Sequence, residues 1–219
     1  LESLVQLIRL AKANNMKVIM DAKRGDIGST SEAYARAYLN PINDQGPNEF
    51  ESDFLTINPL MGEDSMMPFI ESAIKFNKGL FILLETSNPG AAMILKEKSF
   101  ENKMINLKIS SFIQEIHNNL NLENDEFGPI GCVIGATNKD SSHWREKLPN
   151  SLFLMPGIGA QGGDWQTVKS CLSKNNKGVW VPVSRGVTYV KETVISRDDY
   201  ILKVKENLAK IIQQKKDVI

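Results

Sequence analysis

The amino-acid sequence predicts an α/β fold, a (β/α)8 TIM barrel, on three observations. Short apolar runs suited to strands buried on both faces alternate with longer segments of helical period, which implies a parallel sheet with crossover connections. Most of these runs lead into polar or glycine-rich residues at their C-terminal ends, where such barrels gather their functional groups. No GxGxxG turn, typical of a doubly wound sheet, follows the first strand.

The first element is an amphipathic helix that starts at the first residue. Apolar side chains recur there at helical spacing, at Leu1, Leu4, Val5 and Ile8. The chain does not begin with Met, and no basic segment followed by an apolar run marks a secretory signal. We therefore expect the chain to start partway through a domain.

Six strands and several further helices follow, one of which is predicted to start at Ser31. The strands are predicted at Val18–Met20, Phe54–Ile57, Leu80–Leu84, Ile130–Ile134, Leu152–Met155 and Val179–Val183. The helices are predicted at Asp64–Phe76, Asn102–Asn118, Gly163–Ser173 and Tyr200–Gln214. The stretch Asn40–Ser52, rich in Pro, Asn and Asp, is predicted to be a surface loop.

A barrel of this type closes with eight strands, so two are missing. Phosphate is often held by the loops after strands seven and eight, and the last two predicted strands carry such loops. The missing strands are then the first and second, and their absence leaves two open sheet edges. We expect one barrel domain over residues 1–219 that is N-terminally incomplete, in a protein that extends upstream.

Composition excludes several classes of function. The 26 basic and 26 acidic residues give zero net charge, which favours neither a nucleic-acid partner nor an anionic membrane surface. No apolar run approaches the roughly 20 residues that span a bilayer. The two cysteines and two histidines lack metal-ligand spacing, so no metal site is expected. Two buried thiols in a reducing cytoplasm are the simplest interpretation of Cys132 and Cys171.

A charged motif follows the first predicted strand. Asp21 and Lys23, two residues apart, are expected to project from one face into the mouth of the barrel, with Asp26 a short loop further on. At ~4 Å each carboxylate would stabilise the ammonium by roughly 4 kcal/mol before desolvation, at an effective dielectric near 20. A protonated lysine is a poor nucleophile but suits proton donation to a developing carbanion. A neighbouring carboxylate can also repel an anionic substrate group whose loss relieves the repulsion. The simpler alternative is a solvated cluster of charges on a loop.

The residues around this motif resemble the orotidine 5'-monophosphate decarboxylases. The stretch DAKRGDIGST at 21–30 is similar to the family's DxKxxDIxxT signature. The resemblance continues, in the family's order and spacing, in TSNPG at 86–90, PGIGAQGG at 156–163 and SRG at 184–186. It runs over nearly the whole chain, and the conjunction of motifs is much more specific than any one of them.

The resemblance implies a cofactor-free decarboxylation of orotidine 5'-monophosphate to UMP, the last step of de novo pyrimidine synthesis. Lys23 would protonate C6 of the pyrimidine, and Asp21 would orient Lys23 beside the substrate carboxylate. Asp26 would reach into the neighbouring subunit's site of a homodimer, with Ile27 and Thr30 beside it. No cofactor or metal is implied.

The substrate contacts implied by the resemblance come from the later motifs. They are Ser87 at the pyrimidine ring, Pro156 lining the base pocket, and Gln161, Gly163, Arg185 and Gly186 around the phosphate.

The phosphate site also follows from the residues themselves. The segment 161–163 opens onto a predicted helix, so free backbone N–H groups are expected to face an anion. Arg185 adds a bidentate donor at the end of the last strand. Each feature has a structural alternative, since glycine-rich loops also cap helices and Arg185 could form a framework ion pair. Ser87 could be a turn residue, and Pro156 could serve turn geometry.

Two other functions stay open on the sequence alone. One is a sugar-phosphate decarboxylase or aldolase of the same superfamily, in some cases metal-dependent. The other is an inactive barrel serving as an interaction module. The intact charged motif argues against it, because uncompensated buried charges would lower the stability of an inert scaffold. The family also uses an aspartate after its first strand and a lysine after its second. Because neither strand is present, we expect these 219 residues alone to show no decarboxylation above background.

Overall fold

The fold is described from a computed structural model, which covers residues 1–41, 50, 52–122, 126–159, 161–190, 193 and 196–219. Its strands alternate with helices along the chain, as the sequence predicts. By their internal contacts the residues fall into two compact units. The first comprises 1–84, 107–132 and 150–152, and the second comprises 85–106, 133–149 and 153–219. The single domain expected from the sequence stays a prediction.

Six strands form one sheet in the order β1 to β6. Their bounds are β1 Ile19–Arg24, β2 Phe54–Ile57, β3 Gly79–Glu85, β4 Ile130–Ile134, β5 Phe153–Leu154 and β6 Val179–Trp180. The pairs β1/β2, β2/β3 and β5/β6 are parallel, as alternation with helices requires.

The described helices lie between and around these strands. They are α1 Glu2–Ala13, α2 Gly28–Leu39, α3 Glu63–Lys75, α4 Ala92–Leu95, α5 Ile105–Asn119, α6 Ser142–Lys147, α7 Trp165–Ser170, α8 Arg185–Thr188 and α9 Arg197–Lys216, with a 3-10 turn at Pro89–Ala91. None of the helices in the described part of the chain is long and apolar enough to cross a membrane.

Two strands differ from their predicted bounds by more than one residue at an end. Strand β1 continues to Arg24 rather than ending at Met20, so the charged motif starts inside the strand. Strand β6 ends at Trp180 rather than Val183, since Pro182 has no N–H to donate to a sheet. The predicted loop Asn40–Ser52 lies largely outside the described residues.

The core of the first unit is built from apolar strands covered by helices. Strands β2 and β3 bury Leu55, Ile57 and Leu80 completely. The ring of Phe54 lies over its cross-strand partner Gly79, and a Cβ at position 79 would come within 2.2 Å of that ring. The absence of a side chain at position 79 therefore leaves room for the Phe54 ring to pack against β3.

The second unit is organised around a buried tryptophan and an arginine. The indole of Trp144, 1% exposed, donates to the Glu85 carboxylate at 2.6 Å. The Arg145 guanidinium donates to four backbone carbonyls, at Cys171, Leu148, Pro149 and Gly178, and stacks on Phe153. Satisfying these carbonyls with one cation fixes the turns around β5.

Candidate active site

Asp21 and Lys23 form an ion pair at the C-terminal end of β1. Lys23 Nζ lies 2.6 Å from Asp21 Oδ1. Both side chains are accessible, with 62% of Asp21 and 49% of Lys23 exposed. The predicted contact between these two residues is therefore present, and the pair is open to a ligand.

The backbone at Lys23 adopts an unusual conformation. Its φ is +48°, in the left-handed region, and the β1/β2 register shifts between Met20 and Arg24. Such a conformation costs roughly 1–2 kcal/mol for a residue with a side chain, and the other non-glycine residues of the described chain that adopt it are all asparagines. Strained backbone of this kind tends to cluster at functional sites. The Lys23 N–H donates to the hydroxyl of Thr56 on β2 at 2.9 Å, and that hydroxyl donates to Asp21 Oδ1 at 3.0 Å. The motif is thus a β-bulge, and the Thr56 hydroxyl holds it by hydrogen bonds to Lys23 and Asp21.

Asp26 lies apart from this ion pair within the chain. Its carboxylate accepts from the N–H of Ile27 at 2.8 Å, and its carbonyl accepts from Ser31. Among the described residues, Lys23 pairs with Asp21 and not with Asp26. Ile27, 57% exposed, precedes the first turn of α2, which contains the exposed Thr30. The lysine flanked by two carboxylates expected from the sequence is therefore not formed by the described residues of this chain.

The two residues between the charged positions have structural contacts. The Arg24 guanidinium donates to the Tyr38 hydroxyl at 3.0 and 3.2 Å and lies over the Tyr34 ring, which ties the motif to α2. A Cβ on Gly25 would lie 3.0 Å from the Asn58 carbonyl oxygen. Glycine at this position therefore permits the close approach of the loop to the end of β2.

In the second unit, Ser87 and Gln161 are brought together. The Ser87 hydroxyl donates to Gln161 Oε1 at 2.9 Å, across 74 residues of sequence. With its oxygen engaged, the Gln161 amide has its NH2 group left as a donor. Pro156, at the start of the loop that carries Gln161, accepts from the Ala136 N–H at 2.8 Å.

Ser87 rests on a glycine to which the sequence analysis gave no role. A Cβ on Gly135 would lie 2.7 Å from Ser87 Cα, and the Gly135 N–H donates to the Glu85 carbonyl at 2.7 Å. Glu85 is itself buried and paired with Lys96 at 2.9 Å. The only sign of this support in the sequence is a glycine directly after an apolar strand.

The loop at 157–163 differs from its predicted geometry. The Gly163 N–H donates to the Gly157 carbonyl at 2.9 Å, and the Gly162 N–H donates to the Gly159 carbonyl at 3.1 Å. Helix α7 begins at Trp165, and the Asp164 side chain caps it. These amides are consumed within the loop, so the free N–H groups expected before this helix are absent at Gly162 and Gly163.

Hydrogen-bond donors without a described acceptor are found instead at Arg185 and Gly186. Arg185 is exposed and opens α8, and its guanidinium pairs with no residue in the described ranges. The N–H groups of Arg185 and Gly186 likewise have no acceptor among the described residues. A Cβ on Gly159 would lie 3.8 Å from Gly186 Cα, so the loops after β5 and β6 meet at two glycines. The framework ion pair considered for Arg185 is not formed with any described residue.

The described residues bring no three His, Cys, Asp or Glu side chains together in a way that could hold a metal ion. Thr56 is the functional candidate that the sequence analysis missed. The available sign was a lone hydroxyl within the buried apolar run FLTI.

The sequence is similar to a known protein family along most of its length. A family model described as "Orotidine 5'-phosphate decarboxylase / HUMPS family" matches residues 2–194. An orotidine 5'-phosphate decarboxylase of Caldicellulosiruptor saccharolyticus is 37% identical over 200 residues, 90% of this chain and 65% of that protein. Another, of Rhodopirellula baltica, is 39% identical over 189 residues, 85% and 61% of the two chains. The chain thus spans less than two thirds of the length of these relatives.

Solved structures show the same similarity. A putative orotidine 5'-phosphate decarboxylase of Streptomyces avermitilis aligns with a TM-score of 0.75 and 30% identity, covering 97% of this chain and 70% of its own. A putative orotidine-monophosphate decarboxylase of Toxoplasma gondii aligns with a TM-score of 0.76 and 26% identity, covering 99% and 74%. This similarity confirms the predicted fold class, the (β/α)8 barrel, of which the described residues contain six strands.

Proposed function

The chain belongs to the orotidine 5'-phosphate decarboxylase / HUMPS family, and on that premise we propose that the protein decarboxylates orotidine 5'-monophosphate to UMP without a cofactor. The observation that carries this proposal is the accessible ion pair between Lys23 and Asp21, 2.6 Å apart at the C-terminal end of a strand. That end of the sheet is where barrels of this type carry out their chemistry. The curated relatives named above carry the same activity in their names.

The proposed reaction uses the ion pair directly. The bond between C6 and the carboxylate breaks, its electron pair stays on C6, and carbon dioxide leaves. Lys23 then donates a proton from Nζ to C6 and is reprotonated by solvent. Asp21 holds the ammonium in place and repels the substrate carboxylate, so its interaction with the substrate improves as carbon dioxide departs.

The phosphate of the substrate is assigned to the second unit. Arg185 has a guanidinium that pairs with no described residue, and the N–H groups of Arg185 and Gly186 are similarly unused. Gln161, whose oxygen is held by Ser87, has its NH2 group available for the phosphate. We assign Gly163 and Pro156 to shaping this loop, because their backbone groups bond within it or to Ala136. Ser87 is assigned to the pyrimidine ring.

The proposal includes a cytoplasmic homodimer with shared active sites. In this chain the Asp26 carboxylate contacts the Ile27 N–H and not Lys23, which supports a role for Asp26 in a partner's site. The exposed Ile27 and Thr30 lie beside it. Both cysteines are buried and neither is in a disulfide, which fits a reducing compartment.

The decisive experiment measures UMP formation from orotidine 5'-monophosphate by the full-length protein. Lys23→Ala is expected to abolish product formation, because no other group replaces the proton donor. The same variant is expected to bind UMP with little change, because the phosphate contacts lie on other residues. A Lys23→Ala variant that forms UMP at the wild-type rate would contradict the proposed mechanism.

A matched control and a second substrate class sharpen the test. Arg24→Met removes the neighbouring cation of the same motif, which contacts Tyr38 rather than Asp21, and should retain turnover. A sugar phosphate tested with and without Mg2+ addresses the other activity open to the superfamily. Turnover of that compound, and none of the nucleotide, would replace the proposal.

A further inference from the structure

Thr56 is a buried polar residue inside an apolar strand. It is fully buried, as are its strand neighbours Leu55 and Ile57. A buried hydroxyl lowers stability unless its hydrogen bonds are made, so its partners indicate why it is there. The reaction proposed above makes no use of it.

Both partners of this hydroxyl belong to the charged motif. Thr56 Oγ1 accepts from the Lys23 N–H at 2.9 Å and donates to Asp21 Oδ1 at 3.0 Å. Asp21 Oδ1 is also the atom that pairs with Lys23 Nζ, at 2.6 Å. One hydroxyl therefore holds the backbone of the lysine and the side chain of its carboxylate partner at the same time.

The backbone of the motif needs this support. Regular β1/β2 register is lost between Met20 and Arg24, and Lys23 has a φ of +48°. The Lys23 N–H thus bonds to a side chain of β2 instead of a backbone carbonyl. Without the hydroxyl, this N–H and Asp21 Oδ1 would each lose a partner, and the bulge would be free to relax to an extended strand.

We propose that Thr56 is a positioning residue that fixes the geometry of Asp21 and Lys23 for catalysis. This inference rests on the proposed decarboxylation and deepens it. Thr56 does not reach the reacting atoms, and it acts through the two residues that do. Its loss should therefore lower the rate of the chemical step more than the binding of substrate, since small misplacements of catalytic groups are costly.

The test compares Thr56→Val with Thr56→Ser in the full-length protein. Val keeps the branched shape and loses the hydroxyl, whereas Ser keeps the hydroxyl and loses a methyl group. In Thr56→Val we expect kcat to fall on the order of 100-fold, with KM and UMP affinity nearly unchanged. Thr56→Ser should keep kcat within about threefold of the wild type, because it retains both hydrogen bonds. If Thr56→Val does not fold, Thr56→Ala against Thr56→Ser makes the same comparison.

Several outcomes overturn the inference. Wild-type kcat in Thr56→Val would show that the hydroxyl is dispensable. Equal losses in the Val and Ser variants would also overturn it, since only the Val variant lacks the hydroxyl. If the wild-type protein forms no UMP, the decarboxylation proposal fails, and a crystal structure of Thr56→Val decides on Thr56 separately. An unchanged Lys23 φ and an unchanged Asp21–Lys23 ion pair in that structure would exclude positioning by Thr56.

Discussion

Arg185 is a residue whose charge is not used by the part of the chain that the structure describes. Its guanidinium is exposed and pairs with no described residue, and it stands at the start of α8 beside the unused amide of Gly186. A framework arginine looks different in the same unit, where Arg145 is engaged by four carbonyls and an aromatic ring. The contrast between these two arginines supports an external anion as the partner of Arg185.

We expect Arg185→Ala to lower kcat/KM by at least about 100-fold. Bidentate, charge-assisted hydrogen bonds contribute about 1.5–3 kcal/mol each, and about 1.4 kcal/mol corresponds to a factor of ten. Steady-state kinetics on orotidine 5'-monophosphate measure the effect. Arg197→Ala, which removes an exposed cation from the first turn of α9, is the matched control and should behave as the wild type. Equal kinetics in both variants would exclude Arg185 as a phosphate ligand.

Helix α5 shows how an element can bury a titratable group. Its inward face carries Ile109, Ile113 and His117 at intervals of four residues, and His117 is only 2% exposed. Gly128 packs against the imidazole, since a Cβ at position 128 would lie 2.8 Å from two ring atoms. Burial lowers the pKa of His117 to about 4, and the nearby backbone of Ile130 offsets this effect only in part.

The protein should therefore lose stability as the pH falls from about 6.5 to about 4. Above pH 6.5 His117 is neutral in both states, whereas below it the unfolded chain takes up a proton that the folded helix excludes. The difference corresponds to about 3 kcal/mol of unfolding free energy, fully lost below pH 4. Urea unfolding at a series of pH values measures it. His117→Leu should flatten this part of the curve.

The half-buried His143 supplies the control for this experiment. His143→Gln removes an imidazole from α6, in the second unit. This variant should still lose stability between about pH 6.5 and about pH 4, because His117 is intact. Identical curves for His117→Leu and the wild type would show that His117 does not carry the acid sensitivity.

At the scale of the whole molecule, the proposed charged array requires the Asp26 carboxylate to lie near a lysine ammonium. The described chain pairs Lys23 with Asp21, and the Asp26 carboxylate accepts from the Ile27 N–H. In a symmetric dimer with shared sites, Asp26 of each subunit would complete the charged array of the other. The proposal thus makes assembly a condition of activity.

Mixing two inactive variants tests this arrangement. If Lys23→Ala and Asp26→Asn subunits are unfolded together and refolded, half of the dimers carry one of each. Shared sites would restore one intact site in each mixed dimer, or roughly a quarter of wild-type activity. Sites built within single subunits would restore none, because every site would then carry one defect. Sedimentation of the mixture must show dimers for either result to count.

The sequence by itself determined the class of fold and the position of the motif. Hydrophobic periodicity depends only on neighbouring residues, so the strands Phe54–Ile57 and Ile130–Ile134 and the helix α3 fall where predicted or within one residue. The same local pattern places the charged motif directly after Met20, whereas β1 continues through Asp21 and Lys23 to Arg24. Asp21, Lys23 and Arg185 are candidates on the sequence because each follows a predicted strand, and barrels place their active sites at the C-terminal ends of their strands.

Only the tertiary structure decided which groups hold the predicted site residues in place and which backbone amides are left available to a ligand. Thr56 meets Lys23 across 33 residues, and Ser87 meets Gln161 across 74, so no local pattern announces either contact. The loop amides at Gly162 and Gly163 are consumed by carbonyls, while those at Arg185 and Gly186 are not consumed by any described residue. Hydrogen bonds are assigned by proximity in space, which the order of residues does not fix. For that reason the sequence alone predicts the pair of Asp21 and Lys23, whereas only the fold shows that Thr56 holds both residues.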